Sequence, residues 1–511
     1  MHPLDLVVLC VYLAIMVAFG ARFSSQQRNV QDYFLSRKKV PWWALLASIV
    51  ATETSTVTLI SVPGYAFGGD LTFLQLAFGY ILGRIVVASL LIPRLFSGKL
   101  MTAYQPLATR FGSGLARLSA SIFLLTRSVS DGFRLFATGL VLAAFLSTFP
   151  ANGTMSPGVF LGSNGVTGLL ALSIGLVGVT TLAYTLLGGM AAVIWSDVIQ
   201  LVVYMAGAGI AGLILFTEIP GGWAEVLALT QSAGKLAIFN FAFDLTESYT
   251  FWSGLVGGMF LTAGTHGTDQ MFVQRYLCGR SSHDARRALR WSGAVIFFQF
   301  TLFLTIGLML WVYYTTYAHE SLSVITVDGV VQTDRIFPLF MMTHLPLGIR
   351  GLVVASIVAA AMSTLSSSLN SSAASTLGDF YIPLTSATRS DQHYLSASRW
   401  VTVVWAIVQI AVALIAVAFS KRVVDEVLGI QSFTGGLLLG VFLLALSPVR
   451  RNAAPVIGMV VGAAALVALK LFTSVSWQWY VLVGAVTTFG IGWVLGHLAS
   501  KTQSKTDSTT S

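Results

Sequence analysis

Thirteen apolar stretches leave this chain few choices of fold. They lie at about 4–22, 42–66, 71–93, 118–147, 167–187, 190–216, 251–274, 291–315, 348–376, 400–420, 427–447, 453–473 and 477–497. Each is close to or above the about 20 residues an α-helix needs to cross the hydrocarbon of a bilayer. Only 10% of the 511 residues are charged and 55% are hydrophobic, whereas an ordinary globular chain is about 25% charged. The expected fold class is an all-α polytopic membrane protein, for which counting aqueous domains by length has no meaning.

The formal net charge of +9 would suggest a nucleic-acid partner if it formed a patch. It is instead distributed over alternate loops. One side holds Arg22, Arg28, Arg37, Lys38, Lys39, Arg94, Lys99, Arg110, Arg117, Arg275, Arg280, Arg286, Arg287, Arg290, Arg389, Arg399, Arg450, Arg451, Lys501 and Lys505. The other side holds Lys235, Arg335, Arg350, Lys421 and Arg422. The positive-inside rule then places the N-terminus outside and the C-terminus in the cytoplasm. The expected setting is an inner or plasma membrane, with lipid around the chain, no nucleic acid, and a monomer as the working unit.

Met1 to Arg22 lacks a basic leading segment and has a long apolar stretch, so it reads as a retained helix and not a cleaved signal. Cys10 falls in that helix and Cys278 in a basic loop; no disulfide and no cysteine metal site is expected. Trp223 to Leu229 suggests a short surface helix in an outer loop. Trp42 and Trp43, like Trp477 and Trp479, read as interfacial anchors. Residues 499–511 are rich in Ser, Thr and Lys and are expected to be disordered.

Two spans are interrupted. Ala51-Thr52-Glu53-Thr54-Ser55-Thr56-Val57-Thr58, followed by Pro63-Gly64, sits in the middle of one; Gly264-Thr265-His266-Gly267-Thr268-Asp269-Gln270 sits in the middle of another. Such breaks free backbone carbonyls and half-helix ends to hold ions and polar solutes near the midplane. They open two five-helix blocks, 42–216 and 251–447. Because five is odd, the second block enters the membrane from the opposite side, as in an inverted repeat. The remaining divisions are an extra N-terminal helix and loop at 1–41, an outer loop at 217–250, two further helices within 448–498, and the tail.

A third feature is Met362-Ser363-Thr364-Leu365-Ser366-Ser367-Ser368-Leu369-Asn370, with five hydroxyls in six residues inside an apolar span. Ser363 shares a helix face with Ser366 and Ser367. Hydroxyls are hard oxygen ligands suited to sodium, but small residues also make close-packed seams between membrane helices; the run alone fits both. It is expected to face protein or water and not lipid. No Walker loop, HExxH or credible GxSxG elbow is present, so neither ATP-driven pumping nor an intramembrane enzyme is indicated.

These segments resemble the sodium/solute symporter family. The motifs that carry the resemblance are Gly188-Gly189 with Val193-Ile194-Trp195-Ser196-Asp197-Val198-Ile199-Gln200, Val273-Gln274-Arg275, the serine run with Leu369-Asn370-Ser371, and Gly429-Ile430-Gln431-Ser432-Phe433-Thr434-Gly435. The resemblance covers about residues 4–447. It implies a LeuT-like five-plus-five inverted repeat and sodium-coupled import of a small polar organic solute, a sugar or sugar acid first, by alternating access. It also implies sodium ligands. A first site would use the carbonyls of Ala51, Thr54 and Ala360 with the hydroxyls of Ser363 and Thr364. A second would use Asp197 with Ser363, Ser366 and Ser367, although Asp197 could equally cap or pair near the cytoplasmic face.

By the same resemblance Gln431 falls on a sugar-contacting position. Glu53 and Asp269 stand where relatives have asparagines, and Gln75, Thr58 and Gln299 are further candidates. Met271 replaces a gating tyrosine. Glu53 could contact substrate or pair with Arg134 or Arg84. Asp131 and Arg134 are one turn apart and could neutralise each other, or Arg134 could hold a substrate carboxylate. His266 reads as a hydrogen-bonded packing residue; with Glu53 and Asp269 it could alternatively carry protons.

Overall fold

The computed structural model describes residues 2–98, 100–147, 167–327, 329–385, 389–416, 423–449 and 453–509. Among these, nine helices are long and apolar enough to cross a membrane, or ten when a pair bent by 65° is taken as one span. The helices that matter below are α1 (Pro3–Ala21), α2 (Trp42–Glu53), α3 (Thr56–Gly68), α4 (Gln75–Leu90), α5 (Ser113–Ser147), α6 (Thr167–Thr217), α7 (Gly258–Thr268), α8 (Gln270–Leu277), α9 (Ser282–Thr316), α10 (Ile349–Ser375), α11 (Asp391–Ala416), α12 (Val423–Leu446), α13 (Ala454–Phe472) and α14 (Tyr480–Thr509).

The described residues of the apolar stretches are almost all helical, but thirteen separate spans is more than length and hydropathy return, for three reasons. The stretches 167–187 and 190–216 run together as α6, kinked at Gly189 with φ 55° and ψ −155°. A Cβ there would stand 2.7 Å from the Tyr33 carbonyl oxygen, so glycine supplies both the left-handed turn and the close approach. The stretch 251–274 is divided between a π-helical turn at Ser253–Gly257, α7 and α8. In α12 only Gln431–Leu446 counts as apolar helix.

Both expected breaks are present. Between α2 and α3 the chain is extended at Thr54 (φ −85°, ψ 100°) and Ser55 (φ −91°, ψ 169°). Short hydroxyl and β-branched residues compete with helical hydrogen bonding and so favour the interruption. Between α7 and α8 a single extended residue, Asp269 (φ −80°, ψ 123°), makes the break. Its carboxylate accepts from Met271 N at 2.9 Å and caps α8.

Helix α10 is the axis of the bundle, with its most apolar window 94% buried. Every residue from Val353 to Ser375 is buried, so the hydroxyl run faces protein, as expected. It packs on α6, α1, α2 and α5. The approach to α6 is close enough that a Cβ on Gly207 would lie 2.5 Å from Ser356 Oγ.

Helix α1 joins this core at both ends. Asp5 Oδ1 accepts from Gly348 N (2.7 Å) and Gly351 N (3.0 Å), capping α10 from another helix. At its other end, Gly20 abuts Tyr184 and Gly188 of α6.

Three smaller expectations resolve here. The surface helix is found at Gly222–Ser232. Cys10 and Cys278 are both free, Cys278 buried at the end of α8 instead of lying in an open loop. Trp42 stacks under the Arg287 guanidinium at 4.0 Å and Trp43 is exposed. Trp477 and Trp479, by contrast, are buried where their turn meets the π-helical stretch, so they pack within the protein and do not anchor an interface. The hydrophilic tail continues as helix to Thr509; Thr510 and Ser511 lie outside the described residues.

Candidate functional site

The oxygens of the first break and of α10 converge. Because the backbone turns extended after Glu53, the last carbonyls of α2 lack their helical donors. Ser363 Oγ donates to Ala51 O (2.8 Å) and to Ala360 O (3.0 Å); Thr364 Oγ1 donates to Thr52 O (3.0 Å) and Ala360 O (3.4 Å). Ala51, Ala360, Ser363 and Thr364 are therefore together. They form a set of neutral hard oxygens of the kind a sodium ion takes, with hydroxyl protons that can rotate away. Thr54 lies at the same break, where its Oγ1 accepts from Gln299 Nε2 at 2.7 Å. Thr52, absent from the expected set, contributes a carbonyl on the Thr364 side.

One turn further along α10 lies a fully buried carboxylate. Asp197 Oδ2 accepts from Ser48 Oγ (2.5 Å), Thr52 Oγ1 (3.3 Å) and Arg275 Nη2 (3.1 Å), while Oδ1 is buried with no hydrogen-bond partner. Ser367 Oγ is 3.1 Å from Thr52 Oγ1 and in close contact with Arg275 Nη2. Ser366 and Ser367 both donate to the Ser363 carbonyl, at 3.3 and 2.6 Å. Of the four residues expected at a second ion position, Asp197 and Ser367 share Thr52 and Arg275 as partners, and Ser366 and Ser367 meet Ser363 through its carbonyl. Arg275, counted above among loop charges, is buried with them.

The two break carboxylates have cationic partners. Glu53 pairs with Arg84 of α4 and sits 3.5 Å from His266 Nε2; Asp269 pairs with Arg127 of α5. For Glu53 the ion pair with Arg84 is the arrangement found, in place of a free pocket residue. Asp131 completes the network, 3.6 Å from Arg127 and 3.1 Å from Arg134. With its amide oriented to satisfy its neighbours, Gln431 accepts from Arg127 Nη1 (3.2 Å) and Arg134 Nη2 (3.0 Å). Glu53 and Asp269 keep 18% and 17% side-chain exposure while Asp197 keeps none, so only the first two can meet a solute. His266 bonds the Tyr276 hydroxyl through Nδ1 at 2.8 Å, as a packing histidine does.

Beside this network is a cavity lined by Ser55, Thr56, Asp131, Arg134, Thr138 and Thr364, among others. It therefore touches the first ion position through Thr364 and the arginine network through Arg134.

Not every expected residue joins. Gln75 sits at the start of α4, where Nε2 donates to Thr72 O (3.1 Å) and Tyr249 O (2.8 Å) and Oε1 accepts from Asn240 N (3.0 Å). It staples the outer loop instead of facing a solute. Thr58 is half-buried on α3, past the break. Gln75→Ala should then cost about 1–3 kcal/mol of stability from unsatisfied buried groups and leave the half-saturating substrate concentration within about twofold. A thermal melt beside an uptake titration checks it, and a large rise in that concentration would return Gln75 to the pocket.

Sequence reading offered Arg84 as one of two partners for Glu53 but missed Ser48, Arg127 and Arg275 as partners. The available signal was charge parity: intramembrane Glu53, Asp197 and Asp269 each required a nearby cation.

The sequence pattern of the Sodium:solute symporter family matches residues 33–462. The chain belongs to that family. The symporter is similar to the sodium/sialic acid symporter SiaT of Proteus mirabilis, with 29% identity covering 99% of this chain and 97% of that one. It is similar to the sodium/sialic acid symporter NanT of Aliivibrio fischeri, with 26% identity over 96% and 92%. The human sodium/iodide cotransporter is 26% identical over 88% of this chain and 65% of its own.

Among solved structures, the outward-open, substrate-bound state of a sodium-coupled sialic acid symporter superposes with a TM-score of 0.85. It shares 27% identity and covers 97% of this chain and 98% of that one. A nucleobase-cation symporter at TM-score 0.58 and 11% identity shares the fold alone. The chain is a multi-pass membrane symporter of LeuT-like fold that couples a solute to sodium.

Proposed function

We propose that this symporter imports an acidic sugar or a close relative of one. The observation that carries the reading is the cavity shared by Thr364 and Arg134. It puts a cation position and a guanidinium on one small space, no larger than a water needs, which suits the charged group of an anionic solute travelling with sodium once the space widens. Arg134 is 14% exposed, and its Nε is buried with no hydrogen-bond partner, leaving a donor for a carboxylate. The sialic acid cargo of two relatives supports the same class. Because Glu53 and Asp269 are each engaged by a guanidinium, their arrangement supports sodium and not proton coupling. The excess of basic residues on one side supports an N-terminus outside and a C-terminus in the cytoplasm, and the family's members are carriers, which supports transport without catalysis.

Charge also bears on the second ion. One sodium with a monoanion moves no net charge, so a tenfold sodium gradient drives only about tenfold accumulation. Two sodium ions carry one net charge, worth about 2.3 kcal/mol per 100 mV, and raise the limit to about 5 × 10³-fold. An acidic cargo therefore gives Asp197, Ser363, Ser366 and Ser367 a reason to hold a second sodium.

The test is the melting temperature of the purified protein with and without sodium, against sugars, sugar acids, amino acids and monocarboxylates. A bound ligand adds RT ln(1 + [L]/Kd) to stability. A sugar acid that stabilises only in sodium is the expected result; stabilisation that ignores sodium and follows pH would overturn the reading. Arg134→Gln should weaken the acid by about 10- to 100-fold, as expected for losing a charged hydrogen bond, and leave neutral analogues little changed. Equal weakening of both would remove Arg134 as the carboxylate anchor.

A further inference from the structure

Arg275 engages four partners on four helices at once. It lies on α8, the inner half of the sixth core helix (the broken span that opens the second five-helix block), and is fully buried. Nε donates to Ser48 Oγ at 2.9 Å, Nη1 to Met271 O of its own helix at 2.5 Å, and Nη2 to Asp197 Oδ2 at 3.1 Å, with Ser367 Oγ in close contact. One side chain therefore ties α8 to α2, to the second half of α6, and to α10.

Two of its partners, Asp197 and Ser367, are also the residues that would hold the second sodium. Among the described residues, Asp197 is the one carboxylate paired with Arg275. A guanidinium and a sodium ion drawing on the same negative charge in a low-dielectric interior repel each other strongly. Ser367 Oγ also cannot serve fully as ligand to the ion while accepting from Nη2. The unpartnered Asp197 Oδ1 supplies an acceptor on which an arriving cation can first settle.

We infer that the Arg275 guanidinium and the second sodium are alternative partners of Asp197 and Ser367. Sodium arriving there loosens the tie between α8 and the rest of the core, and its departure lets Arg275 retake it. Arg275 is thus a positioning residue: occupancy of the deeper ion position is transmitted through it to the inner half of the sixth core helix. This rests on the reading of Asp197, Ser363, Ser366 and Ser367 as an ion position.

The experiment is a sodium chloride titration of the melting temperature of the full-length protein in detergent, with choline chloride holding ionic strength constant. Arg275→Gln should lower the melting temperature in choline, because Asp197 loses its partner. It should also lower the half-saturating sodium concentration at least about threefold. A half-saturating concentration equal to or above that of the wild type overturns the inference. Arg275→Lys, which keeps the charge but cannot span three helices, should give a smaller shift in the same direction, and no shift in it counts against the inference where Arg275→Gln cannot be recovered.

Asp197→Asn combined with Arg275→Gln should lose the gained affinity; a double variant that keeps it would also overturn the proposal. A wild-type protein indifferent to sodium would instead sink the reading of the ion positions. That outcome is distinct from a responsive wild type beside an unresponsive Arg275→Gln.

Discussion

Ser363→Ala is expected to cut sodium-driven uptake at limiting sodium by about 10- to 100-fold. Its hydroxyl joins Ala51 O of α2 to Ala360 O of its own helix, α10. Hydrogen-bonding or coordinating contacts to a charge are worth about 1.5–3 kcal/mol, and each 1.4 kcal/mol is about a factor of ten. The serine lies inside a wholly buried helix and alanine fills most of its volume, so folding should survive. The loss should then be recovered in part by raising sodium. Uptake measured across a sodium series separates the cases. A variant with a wild-type half-saturation for sodium would refute the assignment of the first ion position, and a variant that sodium cannot rescue would point to damage elsewhere.

Arg127→Ala should be the most destabilising single change in the pocket. The guanidinium serves two carboxylates, Asp269 at the α7–α8 break and Asp131 on its own helix, and it donates to Gln431. Removing it strands Asp269 without its guanidinium and leaves Asp131 with Arg134 alone. Breaking a buried pair from one side costs about 3–5 kcal/mol, whereas removing both charges together is often nearly neutral. Arg127→Gln with Asp269→Asn should therefore recover most of the stability that Arg127→Ala loses. Melting temperatures of the two variants in one detergent check this. If the double variant is no more stable than the single, the pair contributes through shape and not charge.

How far the sequence could reach depended on the range of the interaction. Apolar length is local, so the helices fell where hydropathy put them. Backbone breaks are also local, and the threonine-rich stretch before Ser55 and the glycine-rich stretch before Asp269 both announced them. The hydroxyl run was legible as polar and protein-facing because lipid would not tolerate it.

What stayed undecided, as for Glu53 between Arg134 and Arg84, or hidden were pairings across the bundle. Glu53 and Arg84 are 31 residues apart, Asp197 and Arg275 are 78, and Arg127 and Asp269 are 142. No local pattern encodes which arginine reaches which carboxylate. Arg275 looked like a loop charge because it ends an apolar span, and only the turn of α8 toward Ser48 shows otherwise. Gln75 was a pocket candidate by resemblance alone, yet its amide belongs to the outer loop that folds over it.

The contact of Asp5 with the start of α10 sets the order in which the bundle can be completed. The two partners are separated by 343 residues. At roughly 5–20 residues per second of synthesis, the first helix waits some 20 to 70 seconds before the amides that cap against it exist. Until then its carboxylate must be held by water at the membrane surface, so α1 cannot sink to its final depth. Docking of the first-made helix is therefore among the last steps of assembly. A ribosome stalled before Gly348 would leave α1 undocked and the ion-bearing helix not yet made.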